Sequence, residues 1–223
     1  MKNINQEELN KILKEHELWL KGEGGKRADL SDTDLSDTDL SGVNLSDANL
    51  NNTNLRCANL RCADLRYTDL RYTNLSNADL SYSNLSYSNL KDANLRCADL
   101  SSANLKDIKT NIHTIGYNLA CPETGSFIGY KKANGCIVKL LILEDSKRSS
   151  ATTSKCRCDK AKVLDIENIE TGKKVNEVRS SYDSNFIYKV GEIIHVDNFD
   201  NNRWNECSTG IHFFVNKENA INY

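Results

Sequence analysis

Leucine recurs at every fifth position of this 223-residue chain from Leu30 to Leu105, sixteen times without a gap. On an α-helix five residues advance about 500°, so these leucines would form no common stripe. On a flat strand the odd spacing would place successive leucines on opposite faces. The leucines share one interior only if the chain turns a corner in every repeat, and four corners close a square coil of about 20 residues.

The positions around each leucine fit such a coil. The preceding residue is always Asp or Asn, and the one before that is small or β-branched. We expect the leucine and the small residue to fill the interior, while the other three positions face water. Stacked coils would pair through backbone hydrogen bonds about 4.8 Å apart, so sixteen repeats predict about four coils. The modest apolar content of 39% is therefore compatible with a full core.

The repeat unit, as in Ala58-Asn59-Leu60 and Ala98-Asp99-Leu100, resembles the pentapeptide-repeat family over residues 28–107. The resemblance implies a right-handed quadrilateral β-helix. Some members of that family resemble duplex DNA in shape and charge and bind topoisomerase. Here 12 aspartates face 7 basic residues in the repeats, but four arginines form a girdle around one coil. The girdle is Arg56, Arg61, Arg66 and Arg71, and it makes DNA mimicry an alternative rather than the main interpretation.

The first 27 residues are predicted to form an N-terminal capping helix, because a solenoid must cover its end coils. An apolar stripe at helical spacing comprises Leu9, Ile12, Leu13, His16, Trp19 and Leu20. Asn5 and Glu8 have the spacing of a capping box, and Gly22 is suited to end the helix. We expect His16 and Trp19 to pack against the first coil.

Residues 108–223 lack the period and predict a small, mostly β domain. The strand-like runs are 126–131, 136–143, 162–169, 186–196 and 210–215, and 217–222 could form a helical turn. This part resembles an uncharacterised domain that commonly follows pentapeptide repeats in bacterial and phage proteins. The resemblance rests on Gly129-Tyr130-Lys131, Lys155-Cys156-Arg157-Cys158 and residues 207–213, and it implies an arrangement but no chemistry.

Exposed tyrosines are the candidate binding residues of the solenoid. Residues four repeats apart share a column, so Tyr67 and Tyr87 should lie one above the other, flanked by Asp47 and Asp107. Together with Tyr72 and Tyr82 they predict a protein-binding face, because tyrosine is enriched at interfaces.

A basic segment within residues 146–162 is the second candidate binding site. Its basic residues are Lys147, Arg148, Lys155, Arg157, Lys160 and Lys162, of which the first five are the candidate binding residues. Such a cluster could bind phosphate or a nucleic-acid backbone, and the alternative is a mobile, solvated loop. No glycine-rich phosphate loop is present, so no cofactor is predicted.

Cysteine and histidine chemistry gives two further hypotheses. Cys207 with His212 or His195 could form a nucleophile and its base, provided that the side chains meet. Zinc ligands could come from Cys121, Cys136, Cys156, Cys158, Cys207 and His212, but there is no C-x-x-C pair, so no metal site is predicted.

The sequence thus favours a non-enzymatic protein-interaction scaffold, a capped solenoid presenting a small β domain to an unidentified protein. A C-terminal enzyme or ligand-binding domain using Cys207 and His212 is the alternative. The net charge of −2 disfavours nucleic acid as a partner. Neither a secretory signal nor an apolar run of membrane-spanning length is found, so a cytoplasmic location with reduced thiols is expected. The oligomeric state is left open.

Overall fold

The computed structural model describes residues 1–223, which form two compact units, Met1–Asn118 and Leu119–Tyr223. In the first unit the repeat ladder continues beyond Asp107, the predicted end of the solenoid, to Ile115. Asn94 pairs with Ile115 rather than with Thr114, the partner that the regular spacing of earlier pairs such as Asn74–Asn94 would give. One extra residue therefore hides the last part of the ladder from a search for strict five-residue periodicity.

The N-terminal segment holds β1 (Lys2–Asn3), α1 (Gln6–Lys21) and, at the start of the repeats, β2 (Thr33–Asp34), which pairs in parallel with β1. Asn5 Oδ1 accepts from Glu8 N at 2.9 Å, and Glu8 Oε2 accepts from Asn5 N at 3.0 Å. Gly22 ends the helix in the left-handed conformation. The predicted helix and both of its end signals are therefore present. Neither α1 nor the short helix at the other end of the chain could cross a bilayer.

Parallel bridges between residues four repeats apart build the repeat segment, from Asp29–Asn49 to Asn84–Asn104. Each leucine from Leu30 to Leu85 donates its N–H to the carbonyl just before the leucine four repeats later, as Leu60 N does to Asp79 O at 2.7 Å. The leucines from Leu30 to Leu100 are at most 2% exposed, and Leu105 is half-buried. The period of five therefore buries one residue per repeat in a common interior of a mainly β structure.

Each repeat turns at a fixed position, two residues after the leucine. Every residue there has a φ between 55° and 66°, from Asp32 to Asp107. No β-branched residue occupies this position in any repeat, in keeping with the strain that such side chains suffer at positive φ. The Asp or Asn before the leucine supports the turn, since its Oδ1 accepts from the N–H two residues on, as Asp79 does from Ser81 at 2.8 Å.

His16 joins α1 to the start of the repeats. Its ring is fully buried and stacks on Trp19, with ring centroids 5.6 Å apart. Its Nδ1 accepts from Ala28 N at 3.1 Å. Burial is the main cause that lowers the pKa of His16 below its usual 6.5; it outweighs an opposing hydrogen bond to the Ser46 backbone, and the charge of Arg27 lowers the pKa further. The ring is therefore neutral at pH 7.

This depressed pKa makes the first unit sensitive to mild acid. Below about pH 6.5 the unfolded chain takes up a proton that folded His16 resists, so stability should fall as pH decreases from about 7.5 to about 5.5. Replacing His16 by Asn keeps an acceptor for Ala28 N but does not titrate. Thermal melts of both forms at the two pH values test this. A fall of equal size in His16→Asn would show that His16 is not the cause.

The second unit is built on a seven-stranded antiparallel sheet in the order β10-β7-β4-β3-β11-β6-β5. Its strands are β3 (Phe127–Ala133), β4 (Cys136–Ile142), β5 (Arg148–Ser150), β6 (Lys155–Cys158), β7 (Lys160–Asn168), β10 (Ile193–His195) and β11 (Ile211–Phe214). A separate pair comprises β8 (Glu177–Arg179) and β9 (Ile187–Lys189), and α2 (Lys217–Ile221) follows β11. The predicted run 186–196 is thus divided between β9 and β10, with Gly191 at positive φ between them.

The sheet curls strongly. Only Asp159 separates β6 from β7, yet β11, β3 and β4 lie between them in the sheet. The main core of this unit includes Val138, Leu140 and Phe213, which are fully buried. Gly129 lies under the Phe213 ring, and a Cβ there would come within 2.6 Å of Phe213 Cδ2. A glycine on β3 is therefore what lets this aromatic ring pack across the strand.

Candidate functional sites

Tyr67 and Tyr87 form a stacked pair on the surface of the repeats. Their ring centroids are 5.0 Å apart and their planes differ by 5°. The rings are 56% and 39% exposed. Both residues occupy the left-handed turn position, which projects their side chains outward. The charge of Asp107 raises the pKa of Tyr87 and thereby keeps its hydroxyl protonated. The predicted column of tyrosines therefore exists as a preformed aromatic surface.

Tyr72 and Tyr82, the other two predicted binding residues of the repeats, are not stacked on another ring. Tyr72 is 57% exposed and Tyr82 is 56% exposed. The guanidinium carbon of Arg61 lies 4.4 Å from the centre of the Tyr82 ring and covers one face of it. The structure thus brings together only Tyr67 and Tyr87 of the four.

The arginine girdle partly neutralises the acidic surface. Arg66 pairs with Asp64, and Arg71 pairs with Asp69, each at 2.6 Å. Hydrogen bonding with Arg71 lowers the pKa of Asp69. A DNA mimic needs an unbroken row of free negative charges, and these pairs interrupt the row. This arrangement weakens the DNA-mimic alternative.

The second unit contains a cleft beside β11. Strands β11 and β3 pair only at Phe214 and Tyr130, and the cleft opens where they separate. Its volume is about 450 Å³, within the usual range for small-molecule sites. The walls include Lys131 from β3 and Lys155 from β6. Other residues of the lining are Tyr182, Asp183, Cys207, His212 and Tyr223.

The two lysines of the cleft have different environments. Lys155 is 8% exposed and donates to Tyr223 Oη at 3.2 Å and to Cys207 Sγ at 3.5 Å. Burial lowers the pKa of Lys155, but the Tyr223 hydrogen bond and the nearby charge of Glu206 outweigh it and raise that pKa. Burial, followed by repulsion from Lys155, lowers the pKa of Lys131 to about 8.

Cys207 and His212 line the same cleft but bond to different groups. His212 Nε2 lies 2.8 Å from Ser208 O, which can only accept, so Nε2 carries the proton. Burial lowers the pKa of His212, which leaves Nδ1 as the acceptor of a neutral ring. Cys207 Sγ instead faces the Lys155 ammonium. A nucleophile–base pair of Cys207 and His212 stays a prediction.

His195, Cys121 and Cys156 do not line the cleft. The side chain of His195 is 69% exposed and its Nε2 is 3.5 Å from Asp197. Cys121 and Cys156 are neighbours in the core, where hydrogen bonding to Cys121 and burial raise the pKa of Cys156. No three His, Cys, Asp or Glu side chains are grouped to hold a metal ion.

The predicted basic segment does not form one surface. The guanidinium of Arg148 bonds to carbonyls that include Gly125 O at 2.7 Å and Leu143 O at 2.7 Å. Arg157, 2% exposed, likewise bonds to backbone carbonyls. Lys160 pairs with Asp145 at 2.6 Å. Lys147 is tied by its backbone N–H to Asp159 Oδ1 at 2.9 Å. Of the five predicted residues, only Lys155 enters the cleft.

Lys131, Tyr182 and Tyr223 are cleft residues that the sequence interpretation missed. One signal was available for Lys131. In β3 the alternate residues Phe127, Gly129 and Ala133 contribute to the core, and Lys131 is the charged member of that series. A lysine at a core-facing position of a strand indicates either that the strand ends there or that the lysine belongs to a functional site. Tyr182 and Tyr223 carry no comparable pattern.

Comparison with protein families agrees with both parts of the structure. The model described as pentapeptide repeats, with eight copies, matches residues 26–61, 58–96 and 73–109. The model described as a family of unknown function, DUF5758, matches residues 117–220. The curated proteins give no significant match. The fold and these matches together define the class of protein, which is a repeat scaffold joined to a second domain.

Two solved structures are similar in sequence to part of this chain. The pentapeptide repeat protein Rfr23 from the cyanobacterium Cyanothece 51142 is 40% identical, over 40% of this chain and 60% of its own, with a TM-score of 0.39. The pentapeptide repeat protein alr5209 from Nostoc PCC 7120 is 36% identical, over 45% of this chain and 80% of its own, with a TM-score of 0.41. The chain belongs to the pentapeptide-repeat family, and residues 117–220 belong to the family of unknown function.

Proposed function

We propose that this protein is a non-enzymatic interaction scaffold that binds a protein partner through the stacked pair Tyr67 and Tyr87. In this proposal the repeats from residue 28 onward form a right-handed quadrilateral β-helix of about four coils, whose ladder extends past the predicted end at Asp107 to Ile115, and residues 1–27 cap its first coil. Residues 119–223 form the domain that the solenoid presents. The regular series of parallel bridges and the contact of His16 with Ala28 support this organisation.

The observation that carries the proposal is the preorganised aromatic pair. Binding normally costs conformational entropy, because surface side chains must be fixed. The stacked rings of Tyr67 and Tyr87 already restrain each other, and the backbone beneath them belongs to a regular ladder. Rigid aromatic side chains of this kind are enriched among the residues that dominate binding energy.

The surroundings of the pair indicate the chemistry of the partner. Asp47 and Asp107 occupy the same turn position one coil before and one coil after the tyrosines. A matching surface would contain an apolar recess for the two rings, edged by Lys or Arg to face the two carboxylates. Such complementarity would set specificity and association rate more than affinity.

We also propose a cytoplasmic location. All eight cysteines are free thiols, and Cys121, Cys136, Cys156 and Cys158 are buried in the second unit. Thiols in such numbers persist in a reducing compartment.

Affinity capture from the native host tests the scaffold proposal. The wild type and the double variant Tyr67→Ala/Tyr87→Ala are used as bait, followed by quantitative mass spectrometry. We expect one protein to be enriched by the wild type and reduced about tenfold or more by the double variant, since the loss of a binding hot spot costs about 2 kcal/mol or more.

The matched control is Tyr72→Ala. Tyr72 has nearly the same exposure as Tyr67, 57% against 56%, and the same left-handed backbone, but it lacks a stacked neighbour. The control should capture the partner as the wild type does. If every captured protein is bound equally by the three baits, the tyrosine pair is not the binding surface.

A further inference from the structure

We propose that the cleft between β3 and β11 binds a small phosphorylated aromatic molecule, of the kind represented by a nucleoside monophosphate. In this proposal the ammonium groups of Lys131 and Lys155 hold the phosphate, and the rings of Tyr182 and Tyr223 hold the aromatic part. The site is distinct from the tyrosine pair of the repeats. It would add a ligand to the scaffold.

The polar side of the cleft favours an anion. Lys131 and Lys155 both line it, and neither ammonium group is in an ion pair. Lys155 has two hydrogen-bond acceptors, whereas Lys131 Nζ has no acceptor on the protein. The carboxylate of Asp183 also lines the cleft, but it accepts from Asn185 N at 2.9 Å. Tyr223 and the charge of Glu206 stabilise the Lys155 ammonium, whereas the Lys131 ammonium is partly desolvated and repelled by Lys155, a costly arrangement that a bound anion would relieve.

A phosphate suits this pair of cations better than a single carboxylate. A phosphate monoester carries about two negative charges at neutral pH and three strong acceptor oxygens. One such group can therefore accept from both lysines at once. His212 adds no positive charge, because its depressed pKa keeps the ring neutral.

The aromatic side of the cleft supports the second half of the ligand. Lys131 Nζ lies 6.0 Å from the centre of the Tyr182 ring, and Lys155 Nζ lies 5.2 Å from that of Tyr223. These tyrosines are 82% and 61% exposed, so each has a face available for stacking. Each cation is thus adjacent to an aromatic surface, which matches a ligand that joins a phosphate to a ring.

The size of the cleft favours a small molecule over a polymer. Its volume of about 450 Å³ suits a single nucleotide-sized ligand. Arg148 and Arg157 are not available to follow a nucleic-acid backbone away from the site, because they are used on backbone carbonyls. The experiment must therefore distinguish binding of a mononucleotide from binding of an oligonucleotide.

Ligand binding should depend on pH above neutrality. Lys131, with a pKa of about 8, loses its charge as pH rises. From about pH 7.5 to about pH 9 the affinity should fall about tenfold, because a bound anion favours the protonated lysine. The titratable groups that face Lys131 across the cleft or from adjacent strands are Lys132, Lys155, Cys158, Tyr182, Asp183, Tyr188, Cys207, His212 and Tyr223.

The experiment is isothermal titration of the full chain with four probes: adenosine monophosphate, inorganic phosphate, adenosine and a short single-stranded DNA. We expect the monophosphate to bind more tightly than phosphate or adenosine. Lys131→Met should weaken it about tenfold or more, and Tyr182→Ala should weaken the monophosphate but leave inorganic phosphate unchanged. Lys139→Met is the control, because Lys139 is half-buried on β4 but does not line the cleft.

Loss of folding cannot explain the expected result for Lys131→Met. Burial lowers the pKa of Lys131, so its charge opposes folding below about pH 8 and the unfolded chain holds the proton more tightly up to about pH 10. Lys131→Met should therefore raise the melting temperature of the second unit at pH 7, with a smaller gain at pH 10.

The proposal is overturned if no probe binds, if the DNA strand binds more tightly than the monophosphate, or if Lys131→Met and Lys139→Met bind the monophosphate with equal affinity.

Discussion

Replacing Leu70 by alanine is expected to lower the free energy of unfolding of the first unit by about 2–5 kcal/mol. Leu70 is fully buried in the middle of the repeat series. The cavity left by the lost side chain cannot collapse easily, because the backbone around it is fixed by hydrogen bonds such as Leu70 N to Asn89 O at 2.8 Å. Chemical denaturation followed by Trp19 fluorescence, in a Trp204→Phe background, measures the change.

Leu105→Ala is the matched control for this prediction. Leu105 belongs to the same series of leucines, but it is only half-buried. Its replacement should cost less than half as much as that of Leu70, since both the apolar area and the cavity are smaller. Equal losses of unfolding free energy at the two positions would contradict an interior that is fully buried at Leu70 and partly exposed at Leu105.

Replacing Arg157 by methionine should destabilise the second unit by about 3–5 kcal/mol, because buried carbonyls lose a charged donor. The guanidinium donates to Thr209 O at 3.1 Å and to the carbonyls of Asp200 and Asn202. Its carbon also lies 5.1 Å from the centre of the Phe199 ring. Arg157 thus fixes the loop that carries Cys207 into the cleft. Denaturation followed by Trp204 fluorescence, in a Trp19→Phe background, reports the loss.

Two further variants separate charge from geometry. Arg157→Lys keeps the charge but not the planar fork, so it should recover less than half of the lost stability. Arg56→Met changes an exposed arginine of the repeats and should have an effect of about 0.5 kcal/mol or less. Full stability of Arg157→Met would show that the loop is held by other contacts.

Most of the first unit could be predicted from the sequence because its order is local. One leucine per repeat, one Asp or Asn before it, and no β-branched residue at the left-handed position together specify each corner. Repetition then supplies the long-range contacts, since the same pairing recurs four repeats later. The prediction lost accuracy only at the end, where one inserted residue before Ile115 breaks the period.

The cleft could not be predicted, because it depends on pairings between distant segments. Lys131, Lys155 and His212 come from three strands whose order in the sheet is not evident from their order in the chain. The basic segment gave a misleading signal for a physical reason. Arg148 and Arg157 donate hydrogen bonds to backbone carbonyls and so stabilise the fold. Of the segment's candidate residues, only Lys155 lines the cleft.

The most direct test of the scaffold proposal is the affinity of the captured partner, once purified, for three forms of the protein. Titration calorimetry should give a dissociation constant for Tyr67→Ala/Tyr87→Ala about 30-fold or more above that of the wild type, a loss of about 2 kcal/mol. Tyr72→Ala should stay within about twofold of the wild type. Equal dissociation constants for all three forms would contradict the central claim that the stacked tyrosines are the surface by which this repeat protein binds its partner.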